Sequence, residues 1–285
     1  MVIKMSENII NLINKALGTL RIKIIKKEKI NIVAVQKETA IFYSSEYVLF
    51  DIPVEKCVYP YFFSYDPLGW HHFVQTLYQY DANDIDTYHG SHLERYYDRF
   101  RVREQYDLYF DLPVNDLRRS CPGLGNYPID RYFPLIPWEI QPSRLLGERG
   151  LDCRHGNQGF GPVSQEKKAL EFSRLTGTYE SIKSHGYDPG KSSDGHIKGY
   201  FLINRDDYRF MINEGYHRTA SLAALGYKKI TATFKQHHVK FIDIKEVSHW
   251  PMVKKKLFTA KIAEMIFMKF FEDNGVQRAR SIGLL

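Results

Sequence analysis

Apolar positions at helical spacing open the chain, and alternating apolar and polar positions follow them. Residues 6–20 carry the helical spacing, which predicts a first helix opened by a serine N-cap. Apolar and basic residues then alternate, and further apolar runs at 30–35, 40–43 and 47–52 are separated by polar residues. Alternation of this kind is typical of half-buried strands. The pattern therefore predicts a small antiparallel sheet or meander at the start of the chain.

The stretch from residue 60 to residue 138 is aromatic and irregular. Two helices are predicted in it, at 71–80 and 91–101, and the second carries an apolar stripe of Leu93, Tyr96, Tyr97 and Phe100. Closely spaced prolines between residues 113 and 142 then predict a long loop-rich stretch. A loop of that length is uncommon in a compact domain unless it is functional. We therefore expect it to lie against the following domain and to help form a substrate cleft.

The second half of the chain is more regular. Apolar spacing over 165–185 predicts one or two helices, which Gly186 and Pro189 close. The pattern then predicts, in order, strands at 196–204 and 208–213, a helix at 219–225, a strand at 229–234 and an amphipathic helix at 259–272 with Ile262, Ile266, Phe267 and Phe270 inward.

Charge and composition narrow the class of partner. The chain has 285 residues, a net charge of +7 and a pI near 9.1, which favours anionic partners such as nucleotides, nucleic acid or membrane surfaces. The three cysteines form no CxxC pair, so the sequence predicts neither a disulfide framework nor a structural metal. No apolar run approaches the roughly 20 residues that span a bilayer, and no signal peptide is recognisable. We expect a cytoplasmic protein.

The segment from residue 210 to residue 220 carries the clearest chemistry. A predicted strand runs into Gly215 and at once into a helix, which aims the unpaired N–H groups of the first turn at a ligand above it. Gly215 allows close approach of the backbone, and Arg218 offers a planar fork for phosphate oxygens. Strand, Gly-x-x-Arg and helix together predict a phosphate-binding turn.

The surrounding order of elements resembles the ParB/sulfiredoxin-like family, specifically the ParB N-terminal domain. The likeness spans residues 149–234 and rests on a helix that ends at Gly186, a strand pair, and the family's Gly-x-x-Arg-x-x-Ala signature. Here the signature is Gly215, Arg218 and Ser221, with serine in place of the family's alanine. The resemblance implies an α+β fold, with a mixed sheet and flanking helices. It also implies three regions: a small β-rich, loop-rich region over 1–140, a nucleotide-binding domain over 141–245 and a helical extension over 246–285.

The resemblance also implies site residues. Nucleotide phosphates would contact the turn at Gly215, Tyr216, Arg218 and Thr219. Sulfiredoxin needs a cysteine where this chain has Tyr216, which argues against sulfinic acid repair, and the tail beyond residue 235 lacks the second helix of a DNA-reading motif. The kinase-like branch fits best. In it Glu214 would orient or deprotonate an acceptor hydroxyl, while His217 and Arg218 would stabilise charge on the transferred group.

Two further clusters have open interpretations. The glycine-rich loop before the helix at 165–185 supplies Arg154, His155 and Ser164, which are either nucleotide contacts or a connector with Ser164 as an ordinary N-cap. Several acids could hold a magnesium ion that bridges phosphates, but the sequence does not choose among them: Glu148, Asp152 and Asp188, with Asp194 and His196 near the same site.

These inferences predict a kinase that uses a nucleotide, ATP or ADP with Mg²⁺, and a small hydroxylated molecule or sugar as acceptor. A weaker resemblance to ParB-like proteins of surface-polysaccharide synthesis suggests a sugar. Two alternatives stay open at this stage. One is a nucleotide-gated nucleic-acid-binding protein, consistent with the basic pI. The other is a module that binds a nucleotide or sugar phosphate without turnover.

Overall fold

The computed structural model describes residues 27–28, 49–109, 114–144, 150–192, 194–235 and 238–285. The predicted helix at 6–20 and the predicted strands at 30–35 and 40–43 lie outside these ranges. The predicted strand at 47–52 falls partly within them and is confirmed as Leu49–Pro53.

A mixed sheet organises the described residues. Its eight strands are β1 (Lys27–Glu28), β2 (Leu49–Pro53), β3 (Cys57–Tyr59), β4 (Phe63–Ser64), β5 (Ile197–Asn204), β6 (Asp207–Glu214), β7 (Lys229–Phe234) and β8 (Phe241–Asp243). Seven of them follow the order β1-β2-β7-β5-β6-β3-β4, and β8 also pairs with β5. Parallel and antiparallel neighbours alternate across this order.

The long strand β5 is the centre of the sheet. One edge pairs antiparallel with β6 through a tight turn after Asn204. The other edge pairs first with β7, from Ile197 to Gly199, and then with β8, from Phe201 to Ile203. Ile197, Phe201, Leu202 and Ile203 are buried, as expected for a strand covered on both faces.

Eight α-helices surround the sheet in the described part of the chain. They are α1 (His72–Asp81), α2 (His92–Arg99), α3 (Val114–Ser120), α4 (Gln165–His185), α5 (Tyr216–Ala224), α6 (Pro251–Lys254), α7 (Ala260–Glu272) and α8 (Val276–Ser281). Helices α1, α4 and α5 pack on one another, while α7 packs against β6. Side-chain caps open several of them: the hydroxyls of Ser91, Ser164 and Thr259 accept hydrogen bonds from backbone N–H groups of α2, α4 and α7.

The structure confirms most predicted elements and corrects three. One correction concerns the chain beyond residue 235, where a second helix was expected to be lacking: α6, α7 and α8 all form there. Both helices of the aromatic stretch form, and the stripe on α2 is buried. The predicted helix at 219–225 begins earlier, at Tyr216, because Gly215 itself makes the turn out of β6. The described strands of the first region form no separate meander: β2 pairs with β7, and β3 pairs with β6, in the central sheet.

Strands from both sides of residue 141 therefore share one sheet, while the predicted division into three regions stays a prediction. The aromatic residues of the first region fill much of the core. Helix α8 adds Arg278, whose guanidinium is buried over the ring of Phe62 at 4.8 Å. Within the described ranges, no helix is long and apolar enough to cross a membrane.

Candidate functional site

Gly215 forms the turn between β6 and α5. Its φ of +97° lies in the left-handed region, which side chains other than glycine rarely adopt. A Cβ atom here would lie 3.0 Å from Ile197 Cγ1 and 3.1 Å from Arg218 Nη2. The absence of a side chain therefore has two effects: the chain can turn sharply, and the Arg218 guanidinium can lie directly over the turn.

Arg218 is only partly satisfied by protein groups. Its Nη1 donates a hydrogen bond to the Gly195 carbonyl. Its Nη2 is buried and has no hydrogen-bond partner among the described residues. A buried donor without a partner costs about 1–3 kcal/mol, more when it is charged. A bound anion would remove that penalty.

The neighbouring side chains of the turn are held by the protein. The Thr219 hydroxyl donates to the Gly215 carbonyl at 3.0 Å, which reinforces the first turn of α5. Tyr216 packs edge-to-face on Tyr59 with 5.0 Å between ring centroids, and burial raises the pKa of its phenol well above the usual value. Tyr216 therefore presents a neutral aromatic ring beside the turn.

A cavity of about 850 Å³ opens in front of this turn. Its wall is formed by the second half of α4, the first turn of α5 and the loop that joins α4 to β5. The lining residues are Gln158, Ser173, Arg174, Gly177, Thr178, Ser181, Ile182, His185, Gly186, Tyr187, Asp188, Ser192, Asp194, Gly215, Tyr216, His217 and Arg218. Hydroxyl groups and ionisable side chains predominate, and the volume is in the range of small-ligand pockets, about 300–1,000 Å³.

A buried carboxylate lies behind the cavity wall and ties α4 to α5. Glu171, which is 0% exposed, accepts from Lys167 and Arg174 on Oε1, each at 3.0 Å. On Oε2 it meets Gln158 Nε2 at 2.7 Å and His217 Nε2 at 3.0 Å. Burial alone would raise the pKa of Glu171. The hydrogen bond from His217, the charge of that imidazole when it is protonated, and the positive charges of Lys167 and Arg174 reverse that effect, and the pKa of Glu171 lies well below its usual range.

Glu214, predicted as the catalytic acid, lies beside the turn but is not one of the described residues that line the cavity. Its carboxylate forms two ion pairs, with Lys198 and with Lys235, each at 2.7 Å. Partial burial raises the pKa of Glu214, but the two lysines outweigh that effect and hold the pKa below its usual value. A carboxylate paired in this way is a weak base.

The residues predicted from the glycine-rich loop lie at the opposite end of α4 from the cavity. Ser164 is the N-cap of α4 and is hydrogen-bonded to His155 Nδ1 at 2.9 Å. Arg154 is exposed and paired with Asp152 at 2.5 Å. The structure thus supports the capping interpretation of Ser164, and it is Gln158 of this loop that reaches the cavity.

Only some of the acids predicted as magnesium ligands lie at the cavity. Asp188 and Asp194 line the cavity, Asp152 pairs with Arg154, and Glu148 lies outside the described residues. His196 is near enough to Arg218 that burial and the positive charge of the guanidinium together lower its pKa. The described part of the chain holds no group of three or more His, Cys, Asp or Glu side chains arranged for a metal ion.

Three residues of the site were missed by sequence reasoning: Gln158, Glu171 and Arg174. Glu171 and Arg174 occur in a helix rich in charged residues, where Lys167, Glu171 and Arg174 have the spacing of ordinary surface ion pairs. A weak signal was available, because Glu171 falls one position before Phe172 in the buried stripe that continues to Leu175 and Ile182.

The arrangement can bind an anion at Arg218 and the Gly215 turn, and it holds an imidazole against a buried carboxylate at the same wall. Comparison of the chain with models of known protein families, with curated proteins and with solved structures gave no match.

Proposed function

We propose that this chain is a nucleotide-dependent phosphotransferase with a ParB/sulfiredoxin-like nucleotide-binding domain. The observation that supports it most is Arg218, whose guanidinium lies over the Gly215 turn with one buried donor unpartnered, at the wall of a cavity of about 850 Å³. Phosphate oxygens are the acceptors that such a turn and a planar guanidinium bind best.

The cavity fits a nucleotide and Mg²⁺. Arg218 and the first N–H groups of α5 would hold the terminal phosphate groups, and Arg174 lines the same cavity. Asp188 and Asp194 also line it, and Mg²⁺ on phosphates takes one or two carboxylates with water. Bound there, the ion would neutralise charge on the phosphates. ATP and ADP are the proposed nucleotides, and the cytoplasm is the proposed location.

The acceptor would be a small hydroxylated molecule or a sugar, with surface-polysaccharide synthesis as a possible setting. Tyr216 connects the cavity to the aromatic first region through its contact with Tyr59, and aromatic rings suit sugar faces. Glu214 and His217 are the two candidate bases. His217 lines the cavity, whereas Glu214 is held by Lys198 and Lys235.

Thermal unfolding in the presence of ADP, ATP, CTP or GTP with Mg²⁺ tests the nucleotide site. One of these nucleotides should raise the melting temperature of the wild type. At a nucleotide concentration of 100 times Kd, binding increases the free energy of unfolding by about 2.7 kcal/mol. Arg218→Ala should lose about half of that stabilisation or more at the same nucleotide concentration while keeping its own cooperative transition. A shift of equal size in Arg218→Ala would disprove the assignment of the turn.

A non-catalytic binding module is the second candidate, favoured by the two ion pairs that occupy Glu214. The two functions differ in turnover. Phosphate release or transfer from the bound nucleotide supports the enzyme, whereas stoichiometric binding with no product over hours supports the module.

A further inference from the structure

The contact between Glu171 and His217 determines where the imidazole carries its proton. Glu171 is an ionised carboxylate, which can only accept hydrogen bonds. His217 Nε2 lies 3.0 Å from Glu171 Oε2, where a proton on Nε2 makes a hydrogen bond and a lone pair would be repelled. Gln158 Nε2 donates to the same oxygen at 2.7 Å and also lies 3.1 Å from His217 Nε2, so its amide is the competing donor that an unprotonated Nε2 would accept from.

Neutral imidazole has only one N–H group. In the neutral ring with its proton on Nε2, the other ring nitrogen, Nδ1, carries a lone pair. The contacts of the ring with Gln158 and Glu171 are both made through Nε2. The ring itself is fixed, because it packs against Phe73 with 4.8 Å between centroids and the residue is 7% exposed. His217 also lines the cavity. The structure thus places a fixed imidazole ring at the cavity wall, with Nε2 directed at Glu171.

We propose that Glu171 is a positioning residue, which keeps the proton of neutral His217 on Nε2 so that Nδ1 accepts the proton of the acceptor hydroxyl. The proposal rests on the phosphotransferase function proposed above. In the step, the acceptor oxygen forms a bond to the terminal phosphorus, and the bond from phosphorus to the bridging oxygen breaks. The electron pair of that bond stays on the leaving nucleotide, and the hydroxyl proton moves to Nδ1.

Glu171 also stabilises the product of this proton transfer. The imidazolium that forms lies against a carboxylate that is 0% exposed, where charges interact more strongly than in water. Lys167 and Arg174 face the other carboxylate oxygen and keep Glu171 ionised throughout. A carboxylate that orients an imidazole and stabilises its charged form, without itself taking the proton, is an established arrangement for general bases.

The first test uses the whole protein without a nucleotide. Its 11 histidines are labelled with ¹⁵N, and long-range proton–nitrogen spectra are recorded at alkaline pH. The His217→Gln spectrum identifies the His217 signals. We expect wild-type His217 to show a protonated Nε2 and an unprotonated Nδ1. In Glu171→Gln the amide N–H can donate to Nε2, so the Nδ1–H form should appear. A wild-type ring protonated on Nδ1 would overturn the proposal, and this outcome is read from the wild type, with His217→Gln needed only to assign its signals.

The second test measures release of inorganic phosphate from whichever of ATP or ADP stabilises the protein, with water as the acceptor. Glu171→Gln should lower kcat by about 10²–10⁴-fold, the usual contribution of a general base, with little change in KM for the nucleotide. A merely structural role would lower the melting temperature and leave kcat of the folded fraction unchanged, which contradicts the proposal.

The two proposals fail in different ways. If no nucleotide shifts the melting temperature of the wild type, the phosphotransferase function fails, and with it the role of Nδ1 as a base in that reaction. If nucleotides bind and turn over while Glu171→Gln keeps its kcat, the function stands and the positioning role of Glu171 is disproved.

Discussion

Two glycine turns that precede helices were predicted as phosphate contacts, and the structure gives them opposite character. In the first, before α4, the basic side chains have local partners: Arg154 pairs with Asp152, and His155 is hydrogen-bonded to the Ser164 hydroxyl. In the second, before α5, Arg218 donates to one carbonyl oxygen and keeps a buried Nη2 without a partner among the described residues.

The difference shows what distinguishes a binding turn from a connecting turn. Each contains a glycine with positive φ, Gly156 in the first and Gly215 in the second, and each has a histidine and an arginine nearby, before the glycine in the first turn and after it in the second. What differs is whether the charged groups already have partners and whether they border a cavity. At the first turn the local partners make a ligand unnecessary, while at the second an anion would complete the set of hydrogen bonds.

The largest expected effect concerns the buried ions behind the second turn. Glu171→Ala removes the partner of Lys167, which is 2% exposed, and should lower the free energy of unfolding by about 3–5 kcal/mol. Asp152→Ala, which removes the exposed partner of Arg154, should leave stability unchanged. Urea unfolding at pH 7 measures both. Equal losses of stability in the two variants would show that the burial of Glu171 does not make the ion pairs behind the second turn stronger than the exposed pair of the first turn.

The buried carboxylate of Glu171 also makes the free energy of unfolding depend on pH. The pKa of Glu171 in the folded state is lowered from an ordinary value of 4.5, so its contribution is present above about pH 4.5 and is lost as the pH falls further. Unfolding curves of the wild type should therefore lose more stability between pH 5 and 3 than those of Glu171→Gln. Parallel pH profiles of the two proteins would contradict this assignment.

The second largest effect is expected from replacing the glycine of each turn by alanine, which distinguishes backbone strain from loss of nucleotide binding. In both turns an alanine would be forced into a backbone conformation that costs about 1–3 kcal/mol. At Gly156 its Cβ would also lie 2.6 Å from the Pro162 carbonyl oxygen, whereas at Gly215 the close atoms belong to Ile197 and Arg218. Gly156→Ala should therefore lower the melting temperature more, and Gly215→Ala should lower nucleotide affinity more, by about tenfold if one charged hydrogen bond is displaced.

Calorimetric titration of both glycine variants beside the wild type checks this prediction. Loss of affinity in Gly156→Ala with normal affinity in Gly215→Ala would reverse the assignment of the two turns.

The backbone pattern was largely readable from the sequence. Apolar spacing located α1, α2, α4 and α7, because their buried stripes are aromatic or aliphatic. The apolar runs of β5 and β6, and the glycine between β6 and α5, were equally clear. Strand pairing was not readable: β2 and β3 are short, and nothing local specifies that their partners are β7 and β6, more than 150 residues away.

The site was predicted in part, for a physical reason. Gly215, Tyr216, His217 and Arg218 are consecutive, so one turn brings them together, and all four line the cavity. Glu171 and Arg174 come from another helix, and a charged residue on a helix is expected in solvent. Glu171 is buried by the packing of α4 against α5, which the sequence pattern did not specify, and this packing places it beside His217. The partners of Glu214 come from the sheet instead: Lys198 belongs to β5, and Lys235 directly follows β7.

The third effect belongs to the first turn alone. Ser164→Ala removes the hydroxyl that accepts from Lys167 N at 3.2 Å, and loss of an N-cap lowers stability by about 1 kcal/mol. Since Ser164 lies at the far end of α4 from the cavity, nucleotide affinity should not change. Urea unfolding and titration together measure the two quantities, and Ser164→Thr, which keeps a hydroxyl, is the matched control. A large loss of affinity in Ser164→Ala alone would make the hydroxyl a ligand contact.

The smallest expected effect is the sharpest test of the comparison. Arg154 has the charge and position that motif reasoning favours, but its side chain is 86% exposed and already paired with Asp152. Arg154→Ala should leave nucleotide affinity within about twofold of wild type, as surface substitutions usually do. Arg218→Ala removes the same charge from the second turn and should weaken binding by about tenfold or more. Both variants change the net charge equally, so a general electrostatic attraction would affect them alike. Equal losses would mean that the nucleotide responds to overall charge, and only a difference between the arginines supports a built site at Gly215.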